Sequence, residues 1–184
     1  MKVAICEYGA GNVRSVALAL ERLGAEVVDD VAGADLAVLP GVGSAKTAMA
    51  GVRARGYDVA LQARVGAGRP VLGICLGLQL ALDWSDEDGG VEGLGLLPGR
   101  SERLVGGRVP RMGWSVVEPF GDAFYFAHSY AAVTPGATAW AEGAVAEARA
   151  PAFIGCQFHP EKSGPAGARY LAGVLEEVAC PSPV

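Results

Sequence analysis

Cys75 stands inside the run Gly73-Ile74-Cys75-Leu76-Gly77-Leu78-Gln79, which follows the apolar residues 70–72 and leads into a helix-like stretch. A strand–nucleophile–helix corner has this form. In Gly-x-Nuc-x-Gly the flanking glycines let two backbones approach closely while the nucleophile sits on a strained turn above the sheet edge. The free N–H groups and the dipole at the helix start then favour a thiolate. An unperturbed thiol, with a pKa of about 8.5, is ionised to only a few per cent at neutral pH, so a positioned base is needed as well.

His159 suits that role better than His128, the other histidine of the chain. It ends an expected strand over 153–158, and Pro160 behind it disfavours α conformation, so the segment is expected to be extended. Residues two apart in an extended chain project to one side, which lets Glu161 orient the imidazole and stabilise its charged form. Cys75, His159 and Glu161 are therefore the candidate catalytic set. Singly, each has a structural alternative: tight strand–helix packing, a hydrogen-bonded core imidazole, a solvated carboxylate. Their combination favours catalysis, because one sheet topology brings both strand ends to the carboxyl edge where such folds bind ligands.

A second glycine loop, Pro40-Gly41-Val42-Gly43, follows the apolar run 36–39. A backbone N–H from it, assigned to Val42, would complement that of Leu76 on a tetrahedral oxyanion; such a donor is typically worth roughly 3–4 kcal/mol in the transition state. Gly41 and Gly43 are expected to meet the substrate. Nucleotide binding is rejected at both glycine loops. Lys46-Thr47 resembles the end of a P-loop, but Pro40 and Ala45 occupy its glycine positions, and Gly9-Ala10-Gly11 is followed by Arg14 where a dinucleotide fingerprint needs a third glycine.

The elements that must position these residues are legible as alternating β and α patterns. Strand-like runs occur at 2–6, 26–28, 36–39, 71–74, 114–117, 123–127, 139–142 and 153–158, several of them continuously apolar as buried strands are. Helical patterns occupy 13–23, with Asn12 as a potential cap and Gly24 as the stop, then 45–65 with a break at Gly56, the stretch after Cys75, and 166–178. The expectation is an α/β unit over 1–184, a mostly parallel sheet with helices on both faces. Residues 83–113, acidic and glycine-rich, read as surface loops and short strands within it.

Composition narrows the function classes. The chain has 184 residues, 51% of them hydrophobic, and a net charge of -5, with no cluster of Lys and Arg to hold a phosphate backbone, so nucleic acid is not an expected partner. No apolar span suits a membrane and no signal-peptide core follows Met1, which points to the cytoplasm. Cys6, Cys75, Cys156 and Cys180 are widely spaced, without a Cys-x-x-Cys pair, so no metal site is expected. Cys6 and Cys156 fall in strand-like runs as small buried hydrophobes, and Cys180 is a tail residue.

GICLGLQL around Cys75, PGVG at 40–43 and FHPEKS at 158–163 resemble the class I, or triad, glutamine amidotransferases, whose domain is flavodoxin-like. YGAGNVRSV at 8–16, MGWS at 112–115, YFAHSY at 125–130 and HPEKSG at 159–164 are similar to the glutaminase subunit of imidazole glycerol phosphate synthase. These motifs extend over nearly the whole chain. The resemblance implies hydrolysis of glutamine to glutamate, with the ammonia passed to a TIM-barrel cyclase subunit in a heterodimer that serves histidine biosynthesis. It implies no cofactor. On this pattern Cys75 forms a γ-glutamyl thioester, His159 shuttles protons and Glu161 orients His159. Gln79 contacts the substrate side chain, Ser129 and Tyr130 hold its amino-acid end, and Asn12, Trp114, Tyr125 and Lys162 line the subunit interface. Two positions depart from the family pattern: Ser115 stands where Asn is usual, and Arg111 where His or Gln is expected. The glutaminase subunit of pyridoxal phosphate synthase shares the triad, but its PGGES-like and GTCAG-like segments are absent here. A stand-alone γ-glutamyl hydrolase or a non-catalytic scaffold of the same fold are further alternatives.

Overall fold

A computed structural model describes residues 1–9 and 11–180; residue 10 and residues 181–184 of the expected unit lie outside it. In chain order the elements are β1 (Lys2–Ile5), α1 (Val13–Glu21), β2 (Glu26–Val28), β3 (Leu36–Leu39), α2 (Ala45–Ala54), α3 (Tyr57–Gly66), β4 (Val71–Ile74) and α4 (Leu76–Ala81). Then come β5 (Trp84–Ser85), β6 (Val91–Glu92), β7 (Arg100–Arg103), β8 (Arg111–Val117), β9 (Asp122–His128) and β10 (Tyr130–Val133). The chain closes with β11 (Ala137–Ala141), β12 (Ala144–Ala150), β13 (Phe153–Cys156), a 3-10 turn over Pro160–Lys162, and α5 (Gly164–Ala179).

The main sheet runs β11-β12-β13-β4-β3-β1-β2. Its β2-β1-β3-β4-β13 portion is parallel throughout, which is the doubly wound flavodoxin-like order, and β11 and β12 extend it antiparallel. Both faces are covered because successive strand residues point to opposite sides. Val3, Ile5, Leu36, Val38, Leu72 and Ile74 pack with Val16 and Leu20 of α1 and Leu171 and Val174 of α5. Their neighbours Ala4, Ala37, Leu39 and Val71 pack on the other side with Met49 and Val52 of α2, Leu61 of α3 and Leu78 of α4. A second sheet, β10-β7-β5-β6, and the separate β8–β9 hairpin lie outside this arrangement.

Several details correct the sequence expectation. Asn12 occupies the position before α1 but makes no side-chain cap hydrogen bond. Gly56 does break the second helical region, in a left-handed conformation with φ 68°. Region 83–113 contains β5, β6 and β7, and β8 begins within it at Arg111. Strands β10 and β12 were not expected. The sequence of β12, Ala-Val-Ala-Glu-Ala-Arg-Ala, has a helix-favouring composition, yet it is held as a strand between β11 and β13. Its buried Glu147 is satisfied by Arg149, Thr138 and the phenol of Tyr170. The ladder of β13 with β4 ends at Cys156 opposite Ile74, so residues 157–158 continue beyond the strand.

Candidate active site

Cys75 joins β4 to α4 with φ 54° and ψ -107°, a left-handed backbone that a non-glycine residue adopts only when its surroundings hold it there. Its N–H donates to the Cys156 carbonyl at 2.7 Å. The glycines beside it are required by contact. A Cβ on Gly77 would stand 1.8 Å from the Leu39 carbonyl oxygen, and one on Gly73 would meet the backbone of Gly77 and Leu78 at 2.9 Å. Strand β3, strand β4 and helix α4 therefore touch backbone to backbone, and the corner cannot relax without breaking the sheet edge. Leu76, the first residue of α4, keeps an N–H with no partner one turn back in the helix.

His159 adopts the extended backbone expected ahead of a proline, φ -101° and ψ 93°. Pro160 then starts a 3-10 turn instead of continuing the strand, as its fixed φ allows. Glu161 reaches the ring from that turn: Nδ1 of His159 lies 3.0 Å from its Oε1, and both side chains are buried. The expected pair is present, built by a turn rather than an extended segment. Ser163 anchors it, since its hydroxyl donates to the His159 carbonyl at 2.7 Å and accepts from the Tyr125 N–H at 3.0 Å.

Burial works against a charged His159, but its interactions with Cys75 and with Glu161, which is hydrogen-bonded to the ring, outweigh it and carry the pKa up to about 9. The imidazolium is thus the form present near neutrality. Sγ of Cys75 has further neighbours at rest, the Ala127 carbonyl at 3.9 Å and the side-chain nitrogen of Gln157 at 3.6 Å. His128 is the opposite case. Burial pushes its pKa down to about 4, with Arg111 and His159 adding to the effect against the Tyr130 carbonyl, which accepts from Nδ1 at 2.8 Å. Neutral at ordinary pH, His128 keeps its proton on Nδ1 and leaves Nε2 buried without a partner.

Cys75 and His159 open into one cavity of about 310 Å³, shared with Val42, Gly43, Leu76, Gln79, Ser129 and Tyr130. A larger cleft of about 540 Å³ lies elsewhere, around Trp140 and Val133, but holds no cysteine or histidine. Cys75 and both histidines line the smaller one. Gly41 does not line it; a Cβ there would fall 2.7 Å from Leu76 Cβ and 2.8 Å from the Tyr8 hydroxyl, which places Gly41 in the packing behind the wall. The phenol of Tyr8 donates to the Pro40 carbonyl and ties that loop down. Gln79 is buried, not solvent-facing as an exposed helix residue would be, and donates to the Tyr130 carbonyl at 2.7 Å.

Met112 and Lys162 line the cavity; beside them Trp114 and Tyr125 stack edge to face at 6.1 Å, Lys162 lies 6.0 Å over the Tyr125 ring, and Met112 and Trp114 are exposed. Asn12 stands at the head of α1, which packs against the turn that carries Lys162. The two departures from the family pattern converge on one residue: Arg111 lies 3.5 Å from the Glu142 carboxylate, which also accepts from the Ser115 hydroxyl. Sequence reasoning missed Gln157, Glu87 and Ser163, and gave His128 no role. Glu87 lines the cavity while accepting from the Ala45 N–H at the start of α2, at 2.9 Å. A lone polar residue within or beside an apolar strand, as at 128 and 157, was the available signal.

No family model matches the chain. It is 45% identical over 197 residues to the imidazole glycerol phosphate synthase subunit HisH of Symbiobacterium thermophilum, covering 93% of this chain and 92% of that one. It is 44% identical to the HisH subunit of Moorella thermoacetica, covering 96% and 95%. Among solved structures, a glutamine amidotransferase superposes with a TM-score of 0.77 at 22% identity over 97% of this chain and 99% of that chain. A chain of the PurLQS structure from Thermotoga maritima gives 0.72 at 19% identity over 96% and 98%. These two likenesses establish the fold.

Proposed function

Because the chain belongs to the HisH family of imidazole glycerol phosphate synthase subunits, we propose that it hydrolyses glutamine to glutamate and supplies the ammonia to a TIM-barrel cyclase subunit. The observation that carries the catalytic assignment is the shared cavity, into which a nucleophile on a strained corner and a carboxylate-braced imidazole both open.

Cys75 attacks as a thiolate, beside the imidazolium of His159. The sulfur adds to the carboxamide carbon of glutamine, and the oxyanion is held by the Leu76 N–H and a Val42 N–H. His159 gives its proton to the nitrogen as the C–N bond breaks, leaving a γ-glutamyl thioester and ammonia. The neutral imidazole then takes a proton from water while the oxygen adds to the thioester carbon. Breaking the C–S bond releases the γ-carboxyl group, which ionises, and restores the thiolate and the imidazolium. Glu161 holds the ring and stabilises its charge throughout. Gln79, Gly43, Ser129 and Tyr130 contact glutamine from the cavity wall, while Met112, Trp114, Tyr125 and Lys162 meet the cyclase at its mouth. No helix among the described residues is long and apolar enough to cross a membrane, in keeping with action in the cytoplasm.

Glutamate release measured with and without the cyclase and its nucleotide ligand tests this reading. The expected result is slow turnover alone and a large acceleration in the loaded complex. Fast turnover by the isolated chain, unaltered by the partner, would refute the subunit assignment.

A further inference from the structure

Gln157 has no exposed surface and carries a primary amide, a group that is costly to bury unless each of its polar atoms finds a partner. Its partners fix which way the amide points. The Tyr130 carbonyl can only accept, so the atom of Gln79 that lies 2.7 Å from it is the nitrogen. The same nitrogen is 3.0 Å from the Gln157 side chain, and its second N–H needs an acceptor, so the oxygen of Gln157 faces Gln79. That leaves the nitrogen of Gln157 as the atom 3.6 Å from Cys75 Sγ. The reversed amide would set N–H against N–H on one side and oxygen against a thiolate on the other. One backbone carbonyl thus decides, through two amides, what the sulfur meets.

We propose that Gln157 is a further catalytic residue of the hydrolysis, whose amide N–H donates to Cys75 Sγ, stabilises the attacking thiolate and is kept in that orientation by Gln79. An amide does not ionise at working pH, so the donor stabilises negative charge on sulfur without competing with His159 for proton transfer. Its backbone is fixed as well: the N–H of Gln157 donates to the Ala146 carbonyl at 2.8 Å, and the base follows two residues later. One short segment therefore supplies both the fixed dipole and the mobile proton.

The proposal rests on Cys75 being the nucleophile, but its test needs neither glutamine nor the cyclase, so it fails separately from the functional reading. In a Cys180→Ser background, which removes the exposed thiol, alkylation of Cys75 by iodoacetamide is followed by intact mass across pH. With Gln157→Met the expected rate at neutral pH falls about ten-fold, as for loss of one hydrogen bond to a charged group, and the pH profile moves toward alkali. Gln157→Glu keeps the acceptor for Gln79 but sets an oxygen against sulfur, and moves the profile further. Gln79→Met leaves Gln157 in place and removes what orients it, giving a smaller displacement in the same direction. Near-UV circular dichroism establishes folding. A folded Gln157→Met chain whose profile superposes on the parent overturns the proposal. If neither variant at 157 folds, an unmoved profile in folded Gln79→Met overturns it.

Discussion

The Cys75 corner and the β8–β9 hairpin face each other across the same cavity and are built differently. Around Cys75 the backbones of β3, β4 and α4 touch, and every residue of α4 is buried. On the hairpin, Met112, Trp114 and Val116 stand exposed on one side, and β8 and β9 pair with each other outside both larger sheets. The contrast separates two tasks: the reacting atoms are fixed by the rigid wall, whereas the exposed wall offers the apolar surface that a partner can cover. The cavity also holds two histidines in opposite states, His159 cationic and His128 neutral.

The largest effect expected is on the rigid wall's chemistry. Cys75→Ala should lower glutamine hydrolysis by more than about 10⁴-fold, roughly 5 kcal/mol or more, while the chain still associates with the cyclase. Steady-state turnover with co-purification checks both halves, and retained activity would remove Cys75 from the mechanism. Next is the packing that holds it. Gly77→Ala puts a methyl group onto the Leu39 carbonyl, and a loss of about 4 kcal/mol in chemical denaturation, or failure to fold, is expected. A neutral result would mean that the corner is slack.

On the exposed wall the expected effects are smaller and of another kind. Trp114→Ala should weaken association with the cyclase by about 2 kcal/mol, the loss of one aromatic anchor, while the melting temperature of the isolated chain stays nearly constant. Isothermal titration against the cyclase measures the first and calorimetry the second. Equal losses in both would make Trp114 a fold residue and erase the distinction between the walls.

The smallest effect is in pH dependence, where the two histidines act with opposite sign. His159, raised from 6.5 to about 9, contributes stability that is complete below the unfolded value and is lost as pH rises through about 9. His128, lowered from 6.5 to about 4, contributes stability that is present above the unfolded value and is lost as pH falls through about 4. Melting temperature against pH should therefore decline on both flanks. His128→Gln should flatten the acid flank, and Cys75→Ala, which removes one of the two groups that hold His159 charged, the alkaline one. Unchanged flanks in both variants would contradict the assignment.

The parallel half of the molecule was legible because its constraints are local. A Gly-Cys-Gly spacing states both the strand–helix corner and the close approach that it needs, and the continuous apolar runs at 36–39 and 71–74 match β3 and β4 residue for residue. Helices α1 and α5 followed from their periodic apolar faces. The antiparallel half was less legible because its strands depend on distant partners. Strand β12 buries a glutamate that only Thr138, Arg149 and Tyr170 make tolerable. Arg111 and Ser115 read as separate departures, although both attend Glu142. Within the site, Glu161 was found for a partly mistaken reason, since a proline-initiated turn delivers it. Gln157 was missed because its meaning depends on Cys75 at the head of α4 and Gln79 within it, and on Tyr130 of β10, all distant from it in sequence.

Exposure of the chain to a glutamine-like diazoketone, followed by intact mass and peptide mapping, addresses the central claim that Cys75 cleaves a carboxamide with His159 as its proton carrier. The prediction is a single adduct on Cys75, slowed by added glutamine and sharply reduced in His159→Gln. Labelling that leaves Cys75 free, or that glutamine does not slow, would contradict it.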